Sequence, residues 1–195
     1  MESSTGVGLV GIVSALCDAK EVSEQQACQE LASDESQVAV TDFPAPVVLD
    51  NLRANVKKAV PSQLAGRVSV DGHEWGCLKD QFSVGHANHF SRVIAADCFW
   101  MPQVHLELVQ SMLHFLPTDP AARIFVISGF HTGRAKLAAF FDVASEHGLE
   151  IDTMYEENAE GVRREWARER DGGQENQTDR KKWLAIAILR RSPTL

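Results

Sequence analysis

Three glycines, Gly6, Gly8 and Gly11, form a G-x-G-x-x-G pattern, the spacing that lets a backbone lie against a nucleotide cofactor where a side chain would clash. The same spacing also makes a ligand-free tight turn, so alone it is a weak signal. Asp42 closes the apolar run "QVAVTD" (37–42), and an acid at the end of a buried strand can accept both hydroxyls of a ribose or cap the turn at Phe43-Pro44. Trp75, after "RVSVDGHEWG" (67–76), offers a ring face to an adenine or a cation, or fills a core. Asp97, followed by Trp100 in "ADCFW", pairs an acid that can hold an amine nitrogen with an aromatic wall; as a structural acid it would cap the helix near Pro102. His131 and Arg134 in "GFHTGR" sit on a loop after a strand, where substrate contacts concentrate. No Ser-His-Asp set or paired carboxylates accompany them, and the expected metal complement is none.

At 195 residues the chain reads as a single domain over 1–195, long enough to bury a proper core. Its 44% apolar and 24% charged residues are those of an ordinary soluble globular protein. A formal charge of −8 argues against nucleic-acid binding, which needs a concentrated basic stripe. Cysteines at 17, 28, 77 and 98 include no C-x-x-C pair, which disfavours a zinc site or disulfide framework and fits free thiols in a reducing cytoplasm or nucleus. The start carries Glu2 rather than a basic leader, and no apolar run has the length of a membrane span.

Hydrophobic spacing predicts the elements that position these residues. Residues 8–18 read as a helix and 19–36 as a polar surface excursion; only Met-Glu-Ser-Ser precedes Thr5, so the strand that should lead into the glycine loop is expected to be missing. The run 37–42 is a short buried strand, broken by "FPAP". Val48, Leu49, Leu52, Val56 and Val60 keep helical spacing up to Pro61. Residues 67–76 are a strand running into a loop, and 91–100 a strand whose near-continuous hydrophobicity predicts burial on both faces. A helix at about 103–116 places Val104, Leu108, Met112 and Phe115 on one face, with His105 a packed or surface residue. "ARIFVISGFHTG" (122–133) is a strand and loop, and 134–147 a helix. "LEIDTMY" (149–155) and "KWLAIAILRR" (182–191) are two final strands, with Trp166 and Trp183 read as core. Between them "EGVRREWARER" (160–170) reads as a solvated helical face with i, i+4 ion pairs. The alternation through residue 147 implies an α/β sheet with right-handed crossovers.

In this order the motifs resemble the class I, seven-strand methyltransferases of the lysine/nicotinamide N-methyltransferase-like group (the family 16 type), fungal nicotinamide N-methyltransferase-like proteins in particular. "ESSTGVGLVG" resembles the family's E-L-G-x-G-x-G-L-x-G at Glu2, Gly6, Gly8, Leu9 and Gly11, with Ser3-Ser4 in place of Leu-Gly. "VAVTDFPAP", "LDNLRANV", "VDGHEWG", "SRVIAADCFWMPQVH" and "GFHTGRAKLAAFF" resemble the segments that follow, and the likeness runs over nearly the whole chain from Glu2. The resemblance implies a Rossmann-like sheet without its first, central strand and with a C-terminal antiparallel strand pair. It implies S-adenosyl-L-methionine held by Gly6, Gly8, Asp42 and Trp75, a target amine held by Asp97 and Trp100, and substrate contacts from His131 and Arg134. The family's Tyr or Phe after the acid is here Trp100.

The expected function is therefore S-adenosylmethionine-dependent N-methyl transfer to a small heteroaromatic amine or a protein lysine. The expected absence of that strand would leave room for a protein partner that completes the sheet. Two other readings stand beside it. One is a non-catalytic methyltransferase-like remnant acting as a binding or regulatory module. The other is a NAD-dependent oxidoreductase, disfavoured because Tyr155 has no Lys four residues on and Asp42 lies 31 residues after Gly11 rather than about 20.

Overall fold

Val38–Asp42 forms β1, the first strand among the described residues, because its β-branched residues lie on a short run that ends at the Phe43-Pro44 break. The computed structural model describes residues 37–193; the glycine loop, the 8–18 helix and the expected loss of a leading strand lie outside the described residues. Contacts divide the chain into two units, Met1–Glu74 and Trp75–Leu195.

In the first unit α1 (Pro46–Ala59) begins with Pro46, whose missing N–H costs nothing in a first turn. It buries Leu52 and Val56 and carries Lys57 and Lys58 in its last turn, where cations suit the helix dipole. The chain returns as β2 (Val68–Gly72), parallel to β1 with Val38 opposite Val68 and Val40 opposite Val70. Val56 and Val60 pack with Leu64, Val68 and Val70 beneath this β-α-β turn. Gly72 has no room for a side chain, since a Cβ there would stand 2.8 Å from the Cβ of Pro44.

The second unit opens with a short helix, α2 (Gln81–Gly85), capped by the Asp80 carboxylate, which accepts the Ser83 amide. Then follow β3 (Arg92–Ala96), α3 (His105–Phe115), β4 (Arg123–Gly129), α4 (Arg134–Glu146), β5 (Leu149–Asn158), β6 (Arg163–Glu165), a four-residue helix α5 (Gln177–Arg180) and β7 (Trp183–Arg191). Five strands form one sheet in the order β3-β4-β7-β5-β6. β3 and β4 are parallel, whereas β7 inserts antiparallel between β4 and β5. One face of this sheet (Ala95, Ile124, Val126, Ala185, Ala187, Leu189) meets Leu108, Val109 and Met112 of α3 and Leu137, Phe140 and Phe141 of α4 in a single core.

Two expectations are corrected here. β3 is not buried on both faces among the described residues: α3 and α4 cover one side, and Ile94 on the other is 40% exposed. Residues 160–170 form no helical face. Gly161 turns the chain with φ +77, Arg163–Glu165 pairs antiparallel with β5, and a loop follows. The arginines have stronger partners across the strands than along a helix: Arg163 binds Glu157 at 2.5 Å and Arg164 binds Glu156 at 2.7 Å.

Candidate active site

Parallel strands direct their carboxyl ends to one side of a sheet, and β3 and β4 bring Ala96 and Ile127 level there. Asp97 is the next residue. Its φ of +55 ends the strand, because a left-handed backbone cannot continue the ladder. The Asp97 amide donates to the Ile127 carbonyl at 2.8 Å, and the Ser128 hydroxyl reaches the Asp97 Oδ1 at 3.4 Å. The carboxylate stays exposed and caps no helix, since α3 starts from Val104. Downstream, Phe99 is buried against Phe140 with ring centroids 4.4 Å apart, which turns Trp100 outward to 44% exposure. A carboxylate and an indole thus stand on one short arch beyond β3.

The β4–α4 loop lies beside that arch. His131 is exposed and rests on Gly129, where an added Cβ would meet the ring Nε2 at 2.7 Å. Gly133, with φ +97, leads into Arg134, the first residue of α4. Arg134 is 5% exposed, and its guanidinium is engaged on three sides. Nη1 and Nη2 donate to Glu156 at 2.5 and 2.9 Å, and Nε and Nη2 donate to Glu175 at 2.6 and 2.7 Å. Nη1 also donates to the Ala167 carbonyl at 3.0 Å. The guanidinium carbon lies 4.2 Å from the Phe130 ring centroid, and that ring stacks on Trp166 at 5.9 Å. Arg134 therefore ties the start of α4 to the 159–182 segment, a placement that its position after a strand did not disclose.

Burial alone would push the Glu156 carboxyl up and the Arg134 guanidinium down. The hydrogen bonds prevail: those from Arg134 and Arg164 hold Glu156 below the ordinary glutamate range, and those to Glu175 and then Glu156 hold Arg134 above that of arginine. The Arg134 hydrogen bond likewise holds Glu175 low. Glu156 and Glu175 escaped the sequence reading. A bulge between Ile151 and Thr153 shifts the register of β5, so alternation counted from buried Leu149 puts Glu156 on the wrong face.

Trp75 is half-buried against the core of the second unit. The turn after it is fixed by Gly76, whose φ is +81 and whose amide donates to the buried Ser111 hydroxyl at 2.9 Å. In the first unit Asp42 ends β1, and its Oδ1 accepts the Phe43 amide at 2.7 Å while its backbone carbonyl accepts from His73. The turn-capping geometry is thus present, and the carboxylate retains further acceptor capacity. Among the described residues no cluster of His, Cys, Asp or Glu could hold a metal ion. No helix among them is long and apolar enough to cross a membrane.

Comparison with known proteins bears on this geometry. The chain is 30% identical over 165 residues to the protein N-terminal and lysine N-methyltransferase efm7 of Schizosaccharomyces pombe, covering 80% of this chain and 57% of that protein. It is 30% identical over 114 residues to the protein N-lysine methyltransferase METTL21A of Xenopus tropicalis, covering 58% of this chain and 42% of that one. The chain spans about half the length of the curated relatives it matches. Among solved structures, a SAM-dependent methyltransferase from Methanosarcina mazei aligns with a TM-score of 0.54 at 12% identity, covering 85% of this chain and 86% of the other. The glycopeptide N-methyltransferase MtfA, complexed with S-adenosyl-L-methionine, aligns with a TM-score of 0.56 at 9% identity, over 81% of this chain and 73% of that one. The fold is that of the Rossmann-like class I methyltransferases, with the terminal antiparallel strand pair expected from the sequence. The profile of the family described as "Lysine methyltransferase" matches residues 1–147, three quarters of the chain, and the chain belongs to that family.

Proposed function

We propose that this chain serves S-adenosylmethionine-dependent N-methylation of a protein lysine. The observation that carries the reading is Asp97: an exposed carboxylate held in a left-handed turn at the carboxyl end of β3, three residues before an exposed Trp100. A backbone strain of this kind persists only where the surroundings impose it, and here β4 does so through Ile127 and Ser128.

The cofactor supplies an electrophilic methyl group on a sulfonium. Gly6 and Gly8 would let a backbone approach it, and Asp42 would accept from its ribose hydroxyls; a carboxylate that already closes a strand end suits that donor set. Trp75, half-buried on its core, has a ring face of the kind that would suit an adenine or a sulfonium. The acceptor nitrogen must offer a lone pair along one line, so the protein's task is alignment and exclusion of water rather than proton shuttling. The Asp97 carboxylate would accept an N–H of the acceptor amine and so orient its lone pair for transfer. Trp100 walls the lysine stem, and His131 stands on the neighbouring loop.

A protein lysine is preferred to a small heteroaromatic amine because the relatives named above act on lysine and N-terminal amines. Titration of the 195-residue chain with S-adenosylmethionine by calorimetry, with Gly8→Arg as control, tests the cofactor half of the reading. Transfer of labelled methyl to lysine-bearing proteins, with Asp97→Asn as control, tests the acceptor half. Saturable binding lost in Gly8→Arg and transfer lost in Asp97→Asn are expected. A folded chain that binds nothing would identify a non-catalytic module instead.

A further inference from the structure

His105 opens α3, is 1% exposed, and takes no part in the chemistry above. Its Nε2 lies 3.0 Å from the Phe99 carbonyl. A carbonyl only accepts, so Nε2 carries the proton, and in the neutral ring Nδ1 then holds a lone pair. That Nδ1 is buried without a hydrogen-bond partner among the described residues. The rest of the ring packs edge-on against Phe140 at 5.5 Å, a contact that a phenyl ring would make equally well. What imidazole adds over phenyl at this position is one donor, aimed at one carbonyl, and it brings with it an orphaned buried acceptor that a phenyl would not.

That carbonyl belongs to the peptide joining Phe99 to Trp100. The arch from Asp97 to Trp100 is pinned at its start by the Asp97 amide on Ile127, in the middle by Phe99 in the core, and at its end by His105. Fixing the last peptide plane fixes the direction in which Trp100 leaves the backbone. We propose that His105 is a positioning residue that sets the Phe99–Trp100 peptide plane and thereby holds Trp100 in place as the wall of the amine channel. The inference rests on the role assigned above to Asp97 and Trp100.

The test compares His105→Phe, which keeps the volume and the Phe140 contact but removes the donor, with His105→Gln, whose side-chain amide can donate to the same carbonyl. The first readout needs no activity. Acrylamide quenching of Trp100 fluorescence, taken as the difference between each protein and its Trp100→Phe derivative, is expected to rise in His105→Phe and to return toward the wild-type value in His105→Gln. Nitrogen NMR of the full chain is expected to show His105 as the Nε2–H tautomer. The second readout is methyl transfer to a lysine-bearing protein. Turnover is expected to fall about tenfold in His105→Phe, with the KM for S-adenosylmethionine unchanged and turnover recovered in the Gln variant, as a misplaced group predicts.

Unchanged Trp100 quenching in a folded His105→Phe protein, or the Nδ1–H tautomer in the wild type, overturns the inference. Should His105→Phe fail to fold, His105→Gln and the tautomer decide it. If Asp97→Asn retains full activity the assignment of the amine site fails, while the quenching result still decides whether His105 sets Trp100.

Discussion

Arg134 and Glu156 meet through two parallel hydrogen bonds, Nη1 to Oε1 and Nη2 to Oε2, with the glutamate side chain fully buried and the arginine nearly so. The pair joins the first turn of α4 to the middle of the β5–β6 hairpin, and Glu175 closes the other edge of the guanidinium. A buried charge left alone is far costlier than a buried pair is favourable. Glu156→Ala is therefore expected to cost about 3–5 kcal/mol in urea unfolding. Glu156→Gln, which keeps hydrogen-bond acceptance, is expected to cost less. A loss below about 1 kcal/mol in the alanine variant would show that Glu175 alone compensates the buried Arg134 charge.

The same cluster sets an acid limit on stability. Glu156 and Glu175 both titrate below the ordinary glutamate range in the folded chain. A depressed carboxyl contributes stability that is complete above the unfolded-state value, about 4.3, and is lost as pH falls through the lower native value. Thermal unfolding should thus be flat from about pH 7 to pH 5 in this contribution and fall steeply below about pH 4. Glu175→Gln should lower the plateau and flatten the acid slope; an unchanged slope would place the acid sensitivity elsewhere.

The left-handed Asp97 separates stability from activity. A β-branched residue is strained there and glycine is not. Asp97→Val is expected to be about 1–2 kcal/mol less stable than Asp97→Gly, by comparison of thermal midpoints. Both variants should lose methyl transfer. Equal stability of the two would mean that the turn relaxes in solution.

Ser111 connects α3 to the turn after Trp75 by accepting the Gly76 amide. Ser111→Ala leaves that amide without its partner, at an expected cost of about 1–3 kcal/mol. If the Trp75 ring faces the cofactor, calorimetry should also show weaker binding of S-adenosylmethionine. Unfolding measured alongside separates the two effects, since a purely structural Ser111 changes stability and leaves affinity as it was.

Local pattern alone determined much of this molecule. The β-branched and apolar runs placed β1, β2, β4 and β7, and the spacing of Leu52 and Val56 or of Leu108 and Met112 placed their helices within a residue or two. These follow because side-chain period and proline or glycine breaks act over a few residues. That Asp97 closes β3 and that Trp100 follows it within one short arch were legible for the same reason, since both placements are local. The tertiary structure decided what depends on partners distant in sequence. Residues 160–170 carry the charge spacing of a helix, yet β5 offers Arg163 and Arg164 carboxylates across the strand, and the ladder prevails over propensity. Arg134 has the position of a substrate contact, and only the meeting of Glu156 and Glu175, 22 and 41 residues away, encloses it. His105 shows no pattern at all, because its role comes from one carbonyl that the chain brings beside it on folding.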